Sequence, residues 1–277
     1  MKFRRPLMCA IVLSTSLTTP LALAQTAQIH HEVSLGISDI KDADDKFLGV
    51  GYRYYFDTVN MATQPWAISP YLQRANNASV NYFAIDDLNS INIDGEWFYS
   101  DTLIVRGRYG RISDERNLSD VTQQRVGISL STFANDHWEY GAGIDLFDIE
   151  EAFYAYDDPT TRYKADDNEL SFSIFARYTS FGGTAKSFTP GWDIAMKGTH
   201  FDDEFSIEID ADYYLKPNWS VGVAALYENH DGYSSENLVE LGTNYWFNPY
   251  SSLRFGLGYD TDDGDLGSIT LLGTFRF

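Results

Sequence analysis

The chain has 277 residues, with 20 basic against 40 acidic side chains, a net charge of −20, 16% aromatic residues and a mean hydropathy of −0.30. So acidic a chain is a poor ligand for nucleic acid. No stretch beyond the amino end has the run of apolar residues that a transmembrane helix needs. The single cysteine, Cys9, excludes a disulfide framework and a cysteine metal site.

Residues 1–24 read as a secretory signal. Lys2, Arg4 and Arg5 form its basic start, Leu7 to Leu17 its short apolar run, and Leu21-Ala22-Leu23-Ala24 a small-residue cleavage site before Gln25. The run is too short, and too broken by Ser, Thr and Pro20, to span a bilayer. The expected organisation is a signal over 1–24 and one β domain over 25–277. The mature domain then carries 17 basic and 40 acidic residues, a charge of −23.

From there, period-2 alternation and turn residues predict about fourteen strands, with twelve as the alternative count. They fall near 29–38, 47–57, 66–84, 90–99, 102–112, 123–134, 137–147, 168–179, 191–201, 204–215, 218–228, 237–247, 250–260 and 267–277. Most are ~10–12 residues long, close to the ~9–11 of a tilted membrane strand. In 204–215, Phe205, Ile207, Ile209, Ala211 and Tyr213 oppose Glu204, Ser206, Glu208, Asp210 and Asp212. The strand at 66–84 conflicts with its own pattern, because its apolar parity aims Arg74 and Asn76 at lipid, where a mid-bilayer Arg costs ~2–4 kcal/mol. A bulge or a turn near Ala75-Asn76-Asn77 resolves it. The last strand ends on Phe277, with Ile269, Leu271, Gly273 and Phe275 on the same face.

A soluble sandwich alternates in the same way, so the turns and tryptophans decide. Ser100-Asp101, Asn135-Asp136, Lys216-Pro217-Asn218 and Asn248-Pro249 are tight connections at every second position, and the connections between them read as longer and acidic. Two connections on the tight side, 58–65 and 180–190, are longer. Trp97, Trp138, Trp219 and Trp246 lie beside the tight turns, and Trp66 and Trp192 follow the two longer ones. Six tryptophans at one rim read as an aromatic girdle at a membrane boundary. The fold class expected is all-β, a transmembrane antiparallel up-and-down β-barrel.

The chain resembles the porin family of Gram-negative gammaproteobacteria. The resemblance is carried by Gly-Tyr-Arg-Tyr-Tyr-Phe-Asp at 51–57, Pro-Tyr-Leu-Gln-Arg-Ala-Asn-Asn-Ala-Ser-Val at 70–80, Pro217-Asn218-Trp219-Ser220-Val221-Gly222 and the terminal Phe277. It implies an outer-membrane diffusion channel and brings no substrate and no catalytic residues. The final Phe is similar to the signal read by the barrel-assembly machinery, which makes Phe277 the assembly residue. The expected location is the outer membrane with both chain ends in the periplasm, among lipid and lipopolysaccharide.

The polar strand faces carry both signs. Arg53, Arg106, Arg108, Arg125 and Arg177 come mainly from the first half; Asp193, Glu208, Asp210, Asp212 and Glu240 come from the second. Closure of the sheet is expected to set a basic wall against an acidic wall across a water-filled lumen. With the acidic loops forming a negative vestibule, this predicts a diffusion channel for small polar solutes and ions with a modest cation preference. Salt-bridge ladders filling the interior are the competing arrangement. Asp260, Asp262 and Asp265 faintly resemble a calcium loop, but Leu271 stands where the loop needs its Glu. No cofactor is implied. No Ser, His and acid set stands at one strand depth, so no enzyme is expected; an adhesin or structural anchor is the alternative, with a barrel hydrolase behind it. Of the loops, only 148–167 reads as substantial.

Overall fold

Side chains that alternate apolar and polar give each strand two faces that demand different surroundings. Closing such strands on themselves removes the sheet edges and separates the faces. The structure, a computed structural model, describes residues 28–277 except 42–45, 117–118, 155–161, 182–187, 202–203, 230–235 and 262–263. It is a closed antiparallel barrel of fourteen strands in which every strand pairs with its neighbours in sequence and β1 pairs with β14. The strands are β1 (Ile29–Ile40), β2 (Phe47–Val59), β3 (Asn77–Ile85), β4 (Leu88–Phe98), β5 (Leu103–Arg116), β6 (Ser119–Phe133) and β7 (Trp138–Tyr154), then β8 (Arg162–Thr179), β9 (Gly191–Phe201), β10 (Glu204–Lys216), β11 (Trp219–Asn229), β12 (Glu236–Asn248), β13 (Ser251–Asp260) and β14 (Asp265–Arg276). One short helix, α1 (Ser69–Leu72), lies between β2 and β3.

The barrel closes in a continuous ladder from Glu32↔Arg276 to Ile40↔Ser268. Phe277 extends it: its N–H donates to the His31 carbonyl at 2.9 Å, and its ring stacks on His31 at 5.1 Å. The outer face is apolar around the whole barrel. Leu48, Val126, Leu130, Phe172, Ile174, Leu241 and Phe255 are among many large side chains left open to the surroundings, Ile174 with 72% of its surface exposed. A soluble monomer seldom exposes a contiguous apolar patch above a few hundred Å², so this surface is built for lipid.

The predicted strand over 66–84 is where sequence and structure part. Only residues 77–85 are strand. Residues 60–76 leave the wall and cross the lumen at the end that holds the start of β1 and the end of β14. Pro65 and Pro70 explain the break: neither can donate to a ladder, and Pro70 sits in the first turn of α1, where a missing N–H costs nothing. The segment is tied to walls on opposite sides. Tyr71 donates to Glu139 of β7 at 2.8 Å and lies under the Arg177 guanidinium of β8 at 3.6 Å. On the far side, Arg276 of β14 donates to the carbonyls of Trp66 and Ala67. Ile68 packs on Phe181 and Tyr214, while Ala75 and Met61 pack on Ile29, Tyr55 and Val59. Arg74, which strand parity aimed at lipid, adopts a left-handed conformation (φ 54°) and reaches Asp101 at 3.3 Å and the Phe133 ring at 4.7 Å.

The other rim also departs from the sequence reading. Its connections 86–87, 117–118 and 202–203 are as short as the tight turns opposite. The expected loop over 148–167 is largely ladder, from Ile149↔Asp167 through Tyr154↔Arg162. β7 and β8, at 17 and 18 residues, carry this hairpin beyond the length that a membrane crossing needs. An acidic stretch with interleaved Ile, Phe and Tyr forms a projecting hairpin as readily as a loop.

Candidate functional site: the barrel lumen

The ten ionisable residues expected on the inner wall all lie on inward parity, in register with the polar faces of their neighbours. Their partners are not those expected. Arg106 donates from Nε to Glu96 and from Nη1 to Glu139, each at 2.7 Å, and also to Ser131. Arg108 is paired with Asp145. Arg177 makes a two-pronged pair with Asp193, at 2.9 and 2.8 Å, on the adjacent strand. Arg53 lies beside the Tyr55 hydroxyl and approaches Glu32 to 3.8 Å. Arg125 lies beside Gly110 and, among the described residues, forms no ion pair. On the acidic side, Glu208 accepts from Lys197 at 2.8 Å and Glu240 from Arg254 at 2.9 Å, while Asp212 accepts from Ser220. Asp210 has no ion pair among the described residues.

Most of the basic wall is therefore met where it stands, by Glu32, Glu96, Glu139 and Asp145, with Asp193 taking Arg177. The first four of these acids share the inward parity, a signal present in the sequence, but they are spread over β1, β4 and β7 and form no acidic cluster there. Among the described residues Arg125, Asp94 and Asp210 form no ion pair, Asp212 is met by the Ser220 hydroxyl and Arg53 is half-open, and these are the charges that face a passing solute. Glycines make room for this layout. A Cβ at Gly127 would strike both Asp145 and Arg108, and one at Gly143 would lie 2.9 Å from Arg108 Nη2. Bare backbone there lets the Arg108–Asp145 pair lie flat on the wall.

Three cavities run in series along the lumen. The widest, about 710 Å³, is lined by Glu208, Asp210, Glu228, Glu240 and Asp260. The next, about 250 Å³, shares Glu208 and Asp210 with it and adds Arg106, Arg108 and Arg177. The last, about 380 Å³, shares those arginines and has Ala67, Ile68, Pro70 and Tyr71 as its floor. Tyr71 also lines a cavity of about 410 Å³ on the other side, bounded by Asp57, Gln73, Arg74 and Asp136. Segment 60–76 thus separates an inner vestibule from the terminal rim. Burial above all, reinforced by the Glu139 carboxylate, pushes the Tyr71 phenol up, so it remains the proton donor of that contact.

The tryptophans divide. Trp97, Trp192 and Trp219 are open on the outer face, and Trp138 stacks on Tyr140 at 5.6 Å beside Tyr178. Trp246 is the exception on a strand: it is buried, on the inward parity of Glu240, under the Arg276 guanidinium at 4.3 Å. Trp66 belongs to the crossing segment, its N–H bonded to the Pro217 carbonyl. Counting distance to a turn placed both correctly in depth; only strand parity separates the face. Asp262 lies outside the described residues. Asp260 faces Asp265 across the last hairpin, and Asp265 is held by Lys41 at 3.0 Å. Among the described residues no three potential ligands converge on a metal position. The signal segment and Asp42, Asp44 and Asp45 also lie outside the described residues.

No protein-family model and no curated protein matches the chain. Solved structures do. The outer membrane protein Omp33 of Acinetobacter baumannii is 17% identical, with a TM-score of 0.66 over 91% of this chain and 100% of that one. CdiB, also from Acinetobacter baumannii, is 10% identical with a TM-score of 0.50 over 91% of this chain and 60% of that one. The KdgM porin aligns at 7% identity with a TM-score of 0.45, over 89% and 99%. The fold is that of an outer-membrane β-barrel.

Proposed function

We propose that the protein is an outer-membrane channel for small polar solutes and ions, with a modest cation preference and a closed resting state. The observation that carries this is the series of connected cavities, leading from an acidic mouth to the floor made by Ile68, Pro70 and Tyr71. A wall of packed apolar side chains would have served a purely structural barrel; this interior is polar and hollow. The start of β1 and the end of β14 lie at the rim closed by segment 60–76, which we assign to the periplasm. The opposite mouth, facing outward, gathers cations through its carboxylates. Conduction requires segment 60–76 to yield.

The closed lumen also favours a second reading, a non-conducting barrel that acts as an anchor. Planar-bilayer recordings in a salt gradient separate the two. The channel reading expects discrete steps, rare in the wild type and frequent once segment 60–76 is shortened, with a reversal potential on the cation side. Its preference should be strong in dilute salt and fade in concentrated salt, since the Debye length is ~10 Å at 0.1 M. Silence from both proteins, or anion selectivity, defeats it.

A further inference from the structure

The inner vestibule holds a cation and an anion that face one cavity without meeting. Arg53, Ser79, Asp94 and Arg108 stand side by side in one register row across β2, β3, β4 and β5. Neighbouring strands are ~4.8 Å apart, so the Cα atoms of Arg53 and Asp94 are separated by ~9–10 Å with Ser79 between them. Asp94 is passed over on both sides. Arg108, its direct neighbour, turns the other way to Asp145. Arg53 leans toward Glu32, 3.8 Å away, and keeps 43% of its side-chain surface open. Glu96, the next acid on β4, is taken by Arg106. Asp94 has no hydrogen bond or ion pair among the described residues, yet both it and Arg53 line the same cavity of about 380 Å³.

Asp94 is half-buried and stands in the field of Arg125, Arg53 and Arg108 without a hydrogen bond or ion pair to any of them, while Arg106, Arg108 and Arg177 each hold another carboxylate. We infer that this cavity is a binding site for a small zwitterion of the amino-acid class. The solute's carboxylate takes Arg53 and its ammonium group takes Asp94. Its hydrocarbon part rests on Ile68 and Pro70, which form the floor. Neither charge alone is enough: an anion without an ammonium leaves Asp94 unmatched and facing a second negative group, and an amine without a carboxylate meets Arg53. The inference rests on the reading of the lumen as open to solutes from the acidic mouth.

The test is calorimetric titration of the folded full-length mature protein in detergent micelles with L-alanine, propionate and ethylamine. The last two are alanine without its ammonium and without its carboxylate. Alanine should bind saturably, and each one-charge analogue at least about tenfold more weakly, because it leaves a charged group unpaired. Asp94→Asn should bring alanine down to the level of propionate; Arg53→Gln should bring it down to the level of ethylamine. Asp94→Glu keeps the charge and should keep the preference for alanine, which separates loss of the site from loss of the fold; heat-shift of the folded band on a cold gel checks the fold directly. No binding of alanine to the wild type, equal binding of all three probes, or alanine binding untouched by both neutral variants overturns the inference. Titration needs no current, so a protein that binds alanine but never conducts loses the channel reading and keeps the site. One that conducts and does not bind loses only the site.

Discussion

At the end of the lumen beside the start of β1 and the end of β14, segment 60–76 ties opposite walls together with buried groups: Glu139 is 1% exposed, Arg276 5%, Tyr214 3% and Trp246 3%. At the other end the wall is lined by Glu208, Asp210, Glu228 and Glu240 around a wide cavity, and nothing among the described residues crosses it. The same fourteen-strand ladder runs through both ends. The difference therefore lies in one connection and in how the inward charges are matched. Beside segment 60–76, Arg106, Arg177 and Arg276 are paired and lie over aromatic rings; at the wide end Asp210 lines the cavity with no ion pair among the described residues.

The strongest way to break the comparison is to remove its cause. Replacing residues 62–74 with two glycines still lets β2 reach β3, because the ladder already continues through the Phe56 N–H to Asn76 carbonyl bond at 2.9 Å. Single-channel recordings should then change from mostly closed to persistently open. A barrel that folds and remains silent would mean that the closure lies elsewhere.

Glu139 tests the tie itself. Its carboxylate accepts from Arg106, Ser131 and Tyr71 at once. Breaking a buried pair by removing one partner costs about 3–5 kcal/mol. Glu139→Ala should therefore lower the unfolding free energy of the barrel in micelles by an amount of that order, read as a fall in the denaturant midpoint. It should also raise the frequency of openings, since it frees the Tyr71 hydroxyl. A lowered midpoint with unchanged gating would assign Glu139 to the wall alone.

Phe277 offers a smaller effect that concerns assembly. Its backbone pairs with His31 and its ring stacks there, closing the seam between first and last strands. Deleting it removes the end of that seam while leaving Glu32↔Arg276 and the rest of the ladder. The folded, heat-modifiable band should be reduced but not abolished. Unchanged yield and folding rate would leave the terminal aromatic without the role assigned to it.

Much of this architecture was legible because a barrel repeats one rule. The strand order, the closure of β14 on β1 and the inward face of each charged residue follow from parity, which survives errors of a residue or two at strand ends. Three features escaped for physical reasons. Segment 66–76 alternates like a strand, and only the cost of a lipid-facing Arg74 marked it as anomalous. Trp246 sits at the right depth for a girdle, yet its parity matches Asn244 and Glu240, and Arg276 supplies the stacking partner that lets it face inward. Charge pairing escaped because it depends on which strands lie side by side and on reach around glycine. Arg177 found Asp193 on the next strand before it could face an acidic wall across the lumen.

That local pairing bears on selectivity, where the smallest effect is expected. Glu208, Asp210 and Asp212 share the inward face of β10, but Glu208 already neutralises Lys197, and Arg254 lies nearby in a pair with Glu240. Changing all three to their amides removes three negative charges and leaves Lys197 without its partner, so the local balance around β10 turns positive. The reversal potential in a salt gradient should move toward zero from the cation side, most clearly in dilute salt, where the Debye length of ~30 Å at 0.01 M leaves the cavity unscreened. The recording is best made on the protein with segment 62–74 replaced, so that gating does not limit the signal. If wall charges next to the vestibule set the preference, the shift exceeds that produced by the same number of changes at Asp42, Asp44 and Asp45. A larger shift from those residues would move selectivity to the outermost rim and leave the inner carboxylates with the pairing role alone.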